Sequence, residues 1–436
     1  MFRKIFNTLI TSELKKKVFF TLLVIFTYRI GAMIPVPGVN TEAMKSMFKV
    51  YGDGILGFLN MFSGGALNRM SIFSLGVIPY INASIIMGLI QSAHIFPYFD
   101  KLSKEGYQGR KILTQITRFG TLLLGIIQSF VLAIMISKIR APSGLSIVVN
   151  FSLSWIILAV ITLVTGTIII MWLGEQITER GIGNGISIII FSGIVERLPH
   201  AVFTTIKLIK LKEFSIFNTL FLIIVIMAVL IFVIWIETAQ RKIPIHYTKK
   251  IVGKKIYNKQ TSFLPIKVDQ SGVIAVIFAA SVLSVPLSIS QFAPGLKVFG
   301  FHIAKKIAVL FNNGSIIYNL TYAFLVIFFC YFYNFISFDT EDISENIKKA
   351  GGFIPGIRPG EYTSKYIKNV LEKITLIGAL FVACIAVLPD YLKNIINVPF
   401  FFGGTSLLII VGVSIDTIGQ IESIFIMHSY EKFYNR

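Results

Sequence analysis

Ten apolar runs, each about as long as a bilayer-spanning helix, recur along the 436-residue chain. A helix needs roughly 20 mostly apolar residues to cross the hydrocarbon core of a membrane. Charged residues make up only 14% of the sequence, whereas about 25% is usual in a soluble domain. The sequence therefore predicts an all-α polytopic membrane protein, and it excludes both a soluble globular enzyme and a disordered protein. The ten predicted transmembrane helices occupy residues 18–36, 72–95, 113–137, 152–173, 183–203, 214–236, 271–290, 315–337, 371–392 and 400–427.

The lysines and arginines between the runs predict the orientation of the chain. Segments on the side of the N-terminus hold about twice as many of them as the segments on the other side. Because cytoplasmic loops are the ones enriched in positive charge, we expect both termini in the cytoplasm.

One loop on that side, residues 237–269, is more basic than orientation requires. It carries eight lysines and arginines against Glu237 and Asp269. Two interpretations remain open: a patch that lies on anionic lipid, or a docking surface for a polyanion such as ribosomal RNA.

Ten spans divide into five and five, at residues 1–203 and 204–436. An odd number of spans in each half makes the two halves inverted relative to each other. Spans 2 and 7 are then counterparts, and so are spans 5 and 10. The second half also contains the two large cytoplasmic loops, 237–269 and 339–370.

Residues 54–70 lie between spans 1 and 2 and are too apolar for a solvated loop, yet too short to span. Such a segment must be buried in protein or line a cavity. The Gly64-Gly65 pair predicts a break in any helix formed there. We therefore expect a re-entrant half-helix.

Catalytic and metal-binding patterns are missing from the sequence. The two cysteines and five histidines occur singly, without an HExxH motif. No GxSxG serine and no Walker A motif occurs either. We expect a protein that is not an enzyme and has no cofactor, and whose energy comes from a partner.

Four long motifs carry a resemblance to a known family. They are NMFSGGAL (60–67), GEQITERGIGNGIS (174–187), KKAGGFIPGIRPGE (348–361) and PFFFGGTSLLI (399–409). Their sequences, order and spacing closely resemble those of the SecY family, whose members form the centre of the bacterial protein-conducting channel. The resemblance implies translocation of unfolded secretory polypeptides across the bacterial cytoplasmic membrane, and release of transmembrane segments sideways into lipid.

In that family a ring of aliphatic side chains closes the waist of the pore. The spacing of Val77 and Ile81, and of Ile186 and Ile190, places each pair on one helix face. This spacing alone indicates ordinary helix packing. Matched position by position, the resemblance implies a ring of Val77, Ile81, Ile186, Ile190, Ile277 and Ile409. It also implies that segment 54–70, with Asn60, Phe62, Gly64 and Gly65, is the plug below the ring.

The family also has a lateral gate between spans 2 and 7, beside spans 3 and 8. Asn82 and Asn184 are candidate polar contacts there, although hydrogen bonds between packed helices explain them equally well. The sequence departs from the family at Gly88, where a glutamine is expected, and at Ala275, where a proline is common. We expect these two changes to alter how easily the gate opens.

The loops imply partners. Pro355, Gly356, Pro359 and Gly360 bracket Arg358 in a stiff turn that presents one guanidinium group. In the family this arginine serves the motor ATPase SecA and lies near the ribosome site, and the tip of the basic loop contacts the ribosome. The implied docking residues are Arg241, Lys254, Lys255 and Arg358. SecE and SecG would complete a heterotrimer, with signal-bearing preproteins and membrane lipid as further partners.

A secondary transporter with inverted repeats is the alternative function. Transporters generally use ionisable residues inside the membrane for coupling. Here the spans contain chiefly Arg29 and Asp416, with Glu422 near the cytoplasmic end. These few residues are a poor basis for a proton relay, which disfavours a transporter. The favoured role for Arg29 is a structural ion pair.

Overall fold

Each of the ten predicted spans overlaps a helix in the computed structural model of the chain. The structure describes residues 12–51, 55–92, 96–139, 144–211, 216–247, 251–252, 255–256, 261–292, 297–298, 301–302, 315–396 and 404–434. The helices among them are α1 (Ser12–Met33), α2 (Thr41–Tyr51), α3 (Ile55–Phe62), α4 (Ile78–Ser92), α5 (Pro97–Lys104), α6 (Tyr107–Lys138), α7 (Leu153–Arg180), α8 (Gly185–Val195), α9 (Arg197–Lys210), α10 (Ile216–Glu237), α11 (Gly272–Phe292), α12 (Ile316–Ser337), α13 (Thr340–Lys349), α14 (Glu361–Ile396) and α15 (Gly404–Tyr434).

Six helical stretches within these ranges are long and apolar enough to cross a bilayer. They are Tyr107–Ser137, Leu153–Arg180, Gly185–Thr204, Ile316–Lys349, Glu361–Leu388 and Thr405–Met427. Three shorter apolar helices, Ile78–Gln91, Ile223–Glu237 and Gly272–Leu283, fall at predicted spans 2, 6 and 7. The remaining predicted span is α1, whose first turns carry Glu13 and three lysines. The chain is therefore a mostly helical protein with several membrane-spanning candidates.

The two large loops form a β-sheet, which the expectation of an all-α fold missed. Strand β1 (Gln240–Tyr247) pairs antiparallel with β4 (Thr261–Lys267) and, on its other edge, with β7 (Gly352–Phe353). Side chains alternate along β1, so that Ile243 and Ile245 point to a buried face. Loops 237–269 and 339–370 are thus joined in one unit, which we call the loop platform. Four further strands form two-residue ladders: β2 (Ile251–Val252) with β3 (Lys255–Ile256), and β5 (Lys297–Val298) with β6 (Phe301–His302).

The helices pack around three apolar clusters. One lies within the first half, where Trp155 of α7 is buried and its indole nitrogen donates a hydrogen bond of 3.0 Å to the Pro37 carbonyl. A second lies within the second half, around Val326 and Phe329 of α12. The third takes residues from α1, α4, α7, α8, α11 and α15. Because this central cluster draws on both halves, it lies where they meet.

Glycines allow several helices to approach closer than any other residue would permit. A Cβ atom built on Gly166 of α7 would lie 2.1 Å from the carbonyl oxygen of Ile72. A Cβ atom on Gly185, at the start of α8, would lie 1.9 Å from the carbonyl oxygen of Gly174. The turn between α7 and α8 therefore requires a residue without a side chain at Gly185, which explains this glycine of the motif at 174–187.

We expect Gly166→Ala to destabilise the protein by about 1–3 kcal/mol, because the added methyl group meets rigid backbone in a packed interior. Gly419→Ala is the matched control, since a Cβ atom at this exposed position of α15 meets nothing within 4 Å. Thermal unfolding of the two purified variants in detergent measures the difference. Equal midpoints would contradict the close approach of α7 to the segment before α4.

Candidate functional site

Six aliphatic side chains of the predicted ring converge at the centre of the molecule. Five of them are buried in the central cluster, with exposed fractions of 7% or less, and Ile186 packs against the same cluster. They come from four elements that are distant in sequence. We call them the central aliphatic group: Val77, Ile81, Ile186, Ile190, Ile277 and Ile409.

The local backbone explains how each pair reaches the centre. Val77 lies just before α4, yet its carbonyl accepts a hydrogen bond of 3.0 Å from the Ile81 amide, so the two side chains are one helical turn apart. Ile186 and Ile190 are one turn apart on α8. A glycine with positive φ lies at the start of both α4 and α11: Gly76 at 57°, two residues before α4, and Gly272 at 51°, the first residue of α11. The two predicted counterpart helices therefore share a left-handed glycine near their first turn.

A group of branched aliphatic side chains can close a pore to ions and still let a polypeptide pass. Branched apolar side chains dewet a narrow constriction and so block ions, while they offer no polar group that would hold a passing chain. In this structure the side chains belong to one apolar cluster, in which five of the six are buried and Ile186 is partly buried.

The segment predicted to be re-entrant does contain a short helix that ends in a break. Helix α3 ends at Phe62, and Gly64 and Gly65 then adopt φ values of 61° and 81°. L-residues with side chains rarely take up this left-handed conformation. A 3-10 turn at Leu67–Arg69 completes the segment.

Side chains of this segment reach the central aliphatic group and close its own backbone. Phe62 is 3% exposed and belongs to the central cluster. Asn60 is buried, and its side-chain oxygen accepts a hydrogen bond of 3.0 Å from the Asn68 amide. The Ser406 hydroxyl of α15 lies 3.0 Å from the sulfur of Met61. All four predicted plug residues therefore lie in one compact segment that contacts the group.

The sequence identifies no partner for Arg29, whereas the structure shows one. Its guanidinium group binds the carboxylate of Glu196 and the carbonyl oxygens of Ser192 and Gly64. A basic residue inside an apolar span was the only available signal, and it identifies no partner. The expected structural ion pair is present, and it touches the re-entrant segment.

The two asparagines predicted at the lateral gate lie in different settings. Asn82 is half-buried on α4, which packs against α11 and α12. Asn184 caps α8, where its side-chain oxygen accepts hydrogen bonds from the amides of Ile186 and Ser187. This capping role is neither of the two that the sequence suggested for Asn184. A Cβ atom on Gly88 would meet nothing within 4 Å, and Ala275 is fully buried in the cluster of the second half.

The predicted docking residues are only partly within the described ranges. Arg241 is exposed on β1, and Arg358 is exposed in the turn that follows β7. The carbonyl oxygen of Arg358 accepts a hydrogen bond of 2.9 Å from the Thr363 hydroxyl, which fixes the turn to the start of α14. Lys254 lies outside the described residues, and Lys255 begins the short strand β3. The loop platform therefore presents both arginines on one unit.

Within the described ranges, no group of three or more His, Cys, Asp or Glu residues could hold a metal ion. The titratable cluster with the clearest perturbation lies instead at the junction of the loop platform and α11. There the Asp269 carboxylate caps α11 by accepting a hydrogen bond of 2.7 Å from the Gly272 amide, and it also accepts one from the Ser271 hydroxyl. Burial raises the pKa of Asp269, and the two hydrogen bonds oppose this rise. Glu237 and Lys267 are its charged neighbours.

A raised native-state pKa makes the charged form of Asp269 costly in the fold. Stability contributed by its neutral form is fully present below the unfolded-state pKa of about 3.9 and is lost as pH rises through the native value. Asp269→Asn keeps the cap but cannot ionise. We therefore expect this substitution to raise the thermal midpoint more at pH 7 than at pH 4. Thermal midpoints at both pH values measure this, with the exposed capping residue Asp339→Asn as control. A pH dependence equal to that of the unmodified protein would show that Asp269 ionises without cost.

Together, the apolar helices and the aliphatic group that they surround define a multi-pass helical membrane protein of the channel type. The sequence pattern of the SecY family matches residues 71–418, and the chain belongs to that family. It is 42% identical over 419 residues to the protein translocase subunit SecY of Escherichia coli K12, covering 96% of this chain and 93% of the relative. The corresponding protein of Aquifex aeolicus is 39% identical over 425 residues, covering 97% of each chain. The family resemblance read from the four motifs is confirmed.

Solved structures agree on the fold. The structure of a protein-conducting channel superimposes with a TM-score of 0.66 at 17% identity, covering 94% of this chain and 92% of that chain. Sec61 in the canine ribosome–channel complex superimposes with a TM-score of 0.63 at 17% identity, covering the same shares.

Proposed function

We propose that this chain is the protein-conducting subunit of a translocation channel in the bacterial cytoplasmic membrane. Unfolded secretory polypeptides would cross through its centre, and transmembrane segments would leave sideways into lipid. The observation that carries this proposal is the convergence of six aliphatic side chains from α8, α11, α15 and the start of α4 on the re-entrant segment. The relatives named above are protein translocase subunits, which supports the same function.

In this proposal the central aliphatic group is the pore ring and residues 54–70 are the plug. The ring closes on itself when no substrate is present, and its side chains adapt to any chain that enters. One related structure is titled for a plug domain that stabilises the closed state of the SecY channel and maintains a membrane seal. That title supports the same assignment for the plug segment here.

We further propose ten transmembrane helices in two inverted halves, residues 1–203 and 204–436, with both termini in the cytoplasm. The overlap of every predicted span with a helix supports the number. The glycines with positive φ at the starts of α4 and α11 support the repeat. The lateral gate would open between these two helices, with Asn82 and Asn184 nearby. Gly88 of α4 has no side chain, and a Cβ atom there would meet nothing within 4 Å.

The loop platform would be the cytoplasmic docking surface for SecA and for the ribosome, through Arg241, Lys254, Lys255 and Arg358. Two exposed arginines on a rigid sheet suit a polyanionic or acidic partner. The structural neighbour Sec61 was solved in a canine ribosome–channel complex. SecE and SecG would complete the heterotrimer, and SecA would supply the energy of ATP hydrolysis, so the chain itself has no catalytic role.

The charge pattern gives little support to a secondary transporter. Arg29 is committed to Glu196, and Asp416 is exposed and pairs with Lys267 at 3.5 Å. Glu422 is exposed on α15. These residues do not form a connected path of ionisable groups through the centre, which coupled transport would need.

A photo-crosslinker at Ile190 tests the path of the polypeptide. We expect it to capture a preprotein stalled in transit, in a reaction that requires SecA and ATP. The same crosslinker at Ile224, which is 57% exposed on α10, is the control and should capture none. A folded, inserted channel that gave no preprotein adduct at Ile190 would overturn the proposed function.

Charge reversal at the platform tests the motor site. We expect Arg358→Glu to reduce SecA-driven export roughly tenfold or more, because it replaces attraction by repulsion at a docking contact. Lys365→Glu is the matched control, since Lys365 is an exposed base of the same platform that pairs with Glu361. ATP-dependent export into membrane vesicles gives the rates. Export by Arg358→Glu at the rate of the control would remove Arg358 from the docking site.

A further inference from the structure

Two consecutive residues of α1 bind the backbone of the plug. The Tyr28 hydroxyl donates a hydrogen bond of 3.0 Å to the Ser63 carbonyl. The Arg29 guanidinium donates one of 3.1 Å to the next carbonyl, that of Gly64. Both acceptors lie at the break after α3, and the Ser63 carbonyl also accepts a hydrogen bond of 3.2 Å from the Ala66 amide.

The same guanidinium group also binds α8, and the nitrogen that donates to the Gly64 carbonyl is the one that pairs with Glu196. The group donates to the Ser192 carbonyl of α8 and pairs with the Glu196 carboxylate at the end of that helix. Arg29 therefore joins three elements: α1, the plug, and α8 with its C-terminal cap. A charged side chain in an apolar span needs such partners, because an unpaired charge there is costly.

Close backbone contact brings these three elements within reach of one side chain. A Cβ atom on Gly193 would lie 2.7 Å from the Cα atom of Gly64, and one on Gly64 would lie 3.1 Å from the Cα atom of Gly193. Only glycine at both positions allows this approach. The plug backbone thus lies directly on α8, beside the residues that hold Arg29.

We propose that Tyr28 and Arg29 form a latch that retains the plug beneath the ring, and that Glu196 and Ser192 hold the Arg29 side chain in place. This inference rests on the proposed function of residues 54–70 as a plug. Of the bonds that Tyr28 and Arg29 make, opening breaks only the two to the plug, which join the Ser63 and Gly64 carbonyls. Arg29 keeps Glu196 and Ser192 when the plug leaves, so its charge remains compensated. The latch can therefore release without stranding a charge in the membrane.

Tyr28→Phe removes one latch bond with little change of shape. The aromatic ring of Tyr28 stacks on Phe73, with the ring centroids 5.7 Å apart, and phenylalanine preserves this contact. Arg29→Gln removes the charge-assisted bond. A hydrogen bond contributes roughly a threefold to tenfold factor to such an equilibrium, and a charge-assisted bond more. We expect the population with the plug released to rise by these factors in the two variants.

Release of the plug can be measured by the labelling of a cysteine at Ser63, which is 0% exposed. In this background Cys330 and Cys384 are replaced by alanine, so that Ser63→Cys is the only thiol. A membrane-impermeant maleimide added from the outer side should react faster in the Tyr28→Phe and Arg29→Gln variants. Resting ion conductance in planar bilayers is the second measurement, with the thinned ring Ile81→Gly/Ile190→Gly as its positive control.

Arg118→Gln is the matched control. Arg118 forms an ion pair of 2.7 Å with Glu175 between α6 and α7, so the change removes a comparable interhelical contact away from the plug. Labelling at the control rate in both latch variants would overturn the inference. SecA-driven export by the unmodified channel is assayed in parallel. Absence of export there would contradict the proposed function, whereas faster labelling in the latch variants would still show that Tyr28 and Arg29 retain the segment.

Discussion

Backbone polar groups inside a membrane must find partners within the protein, and the re-entrant segment shows how this constraint shapes the centre of the fold. Its amides and carbonyls bond locally, as in the bonds from Gly65 to Asn60 at 2.8 Å and from Ser71 to Ala66 at 3.0 Å. The Asn60 side chain satisfies a further amide. Side chains of α1 bind the Gly64 carbonyl and also the Ser63 carbonyl, which accepts a second bond from the Ala66 amide. A segment that enters a membrane protein without crossing it must be anchored in this way, and here its anchors are also what it would have to break in order to move.

The same constraint explains what could be predicted from the sequence. Segment 54–70 could be predicted because it is apolar and too short to span a membrane. Gly64 and Gly65 predict the break in its helix. Both features depend on local composition alone. The spans and the aliphatic positions follow from helical spacing together with the family motifs. The partner of Arg29 could not be predicted. Glu196 lies 167 residues away in sequence, and a single glutamate towards the end of a predicted span has no feature that links it to Arg29. Long-range pairing of this kind depends on how glycines let backbones meet, which single-sequence patterns do not record.

The loop platform was missed for a related reason. Ile243 and Ile245 alternate with polar residues and prolines, a pattern typical of a half-buried strand, but the segment is only one strand of the sheet. Its partners are β4, after an intervening stretch rich in lysine, and β7, about a hundred residues later. The basic residues of the two loops drew attention to partner binding and gave no sign that the loops pair with each other. The structure instead gives them a common apolar core that includes Ile266, Ile347 and Ile354, so the described parts of both loops belong to one packed unit.

This arrangement ties the platform to the centre of the molecule. Only four residues separate β4 from α11, the helix that contributes Ile277 to the central aliphatic group. Two of the four, Asp269 and Ser271, are buried and bonded to each other at 3.1 Å, and Asp269 also caps α11. The Val268 carbonyl lies so close to α14 that a Cβ atom on Gly378 would be 2.3 Å from it. A short linker that is hydrogen-bonded and packed on both sides has little freedom to absorb movement. If the platform is the docking surface proposed above, a partner that displaced it would act directly on α11, the helix that contributes Ile277 to the central aliphatic group and packs against α4.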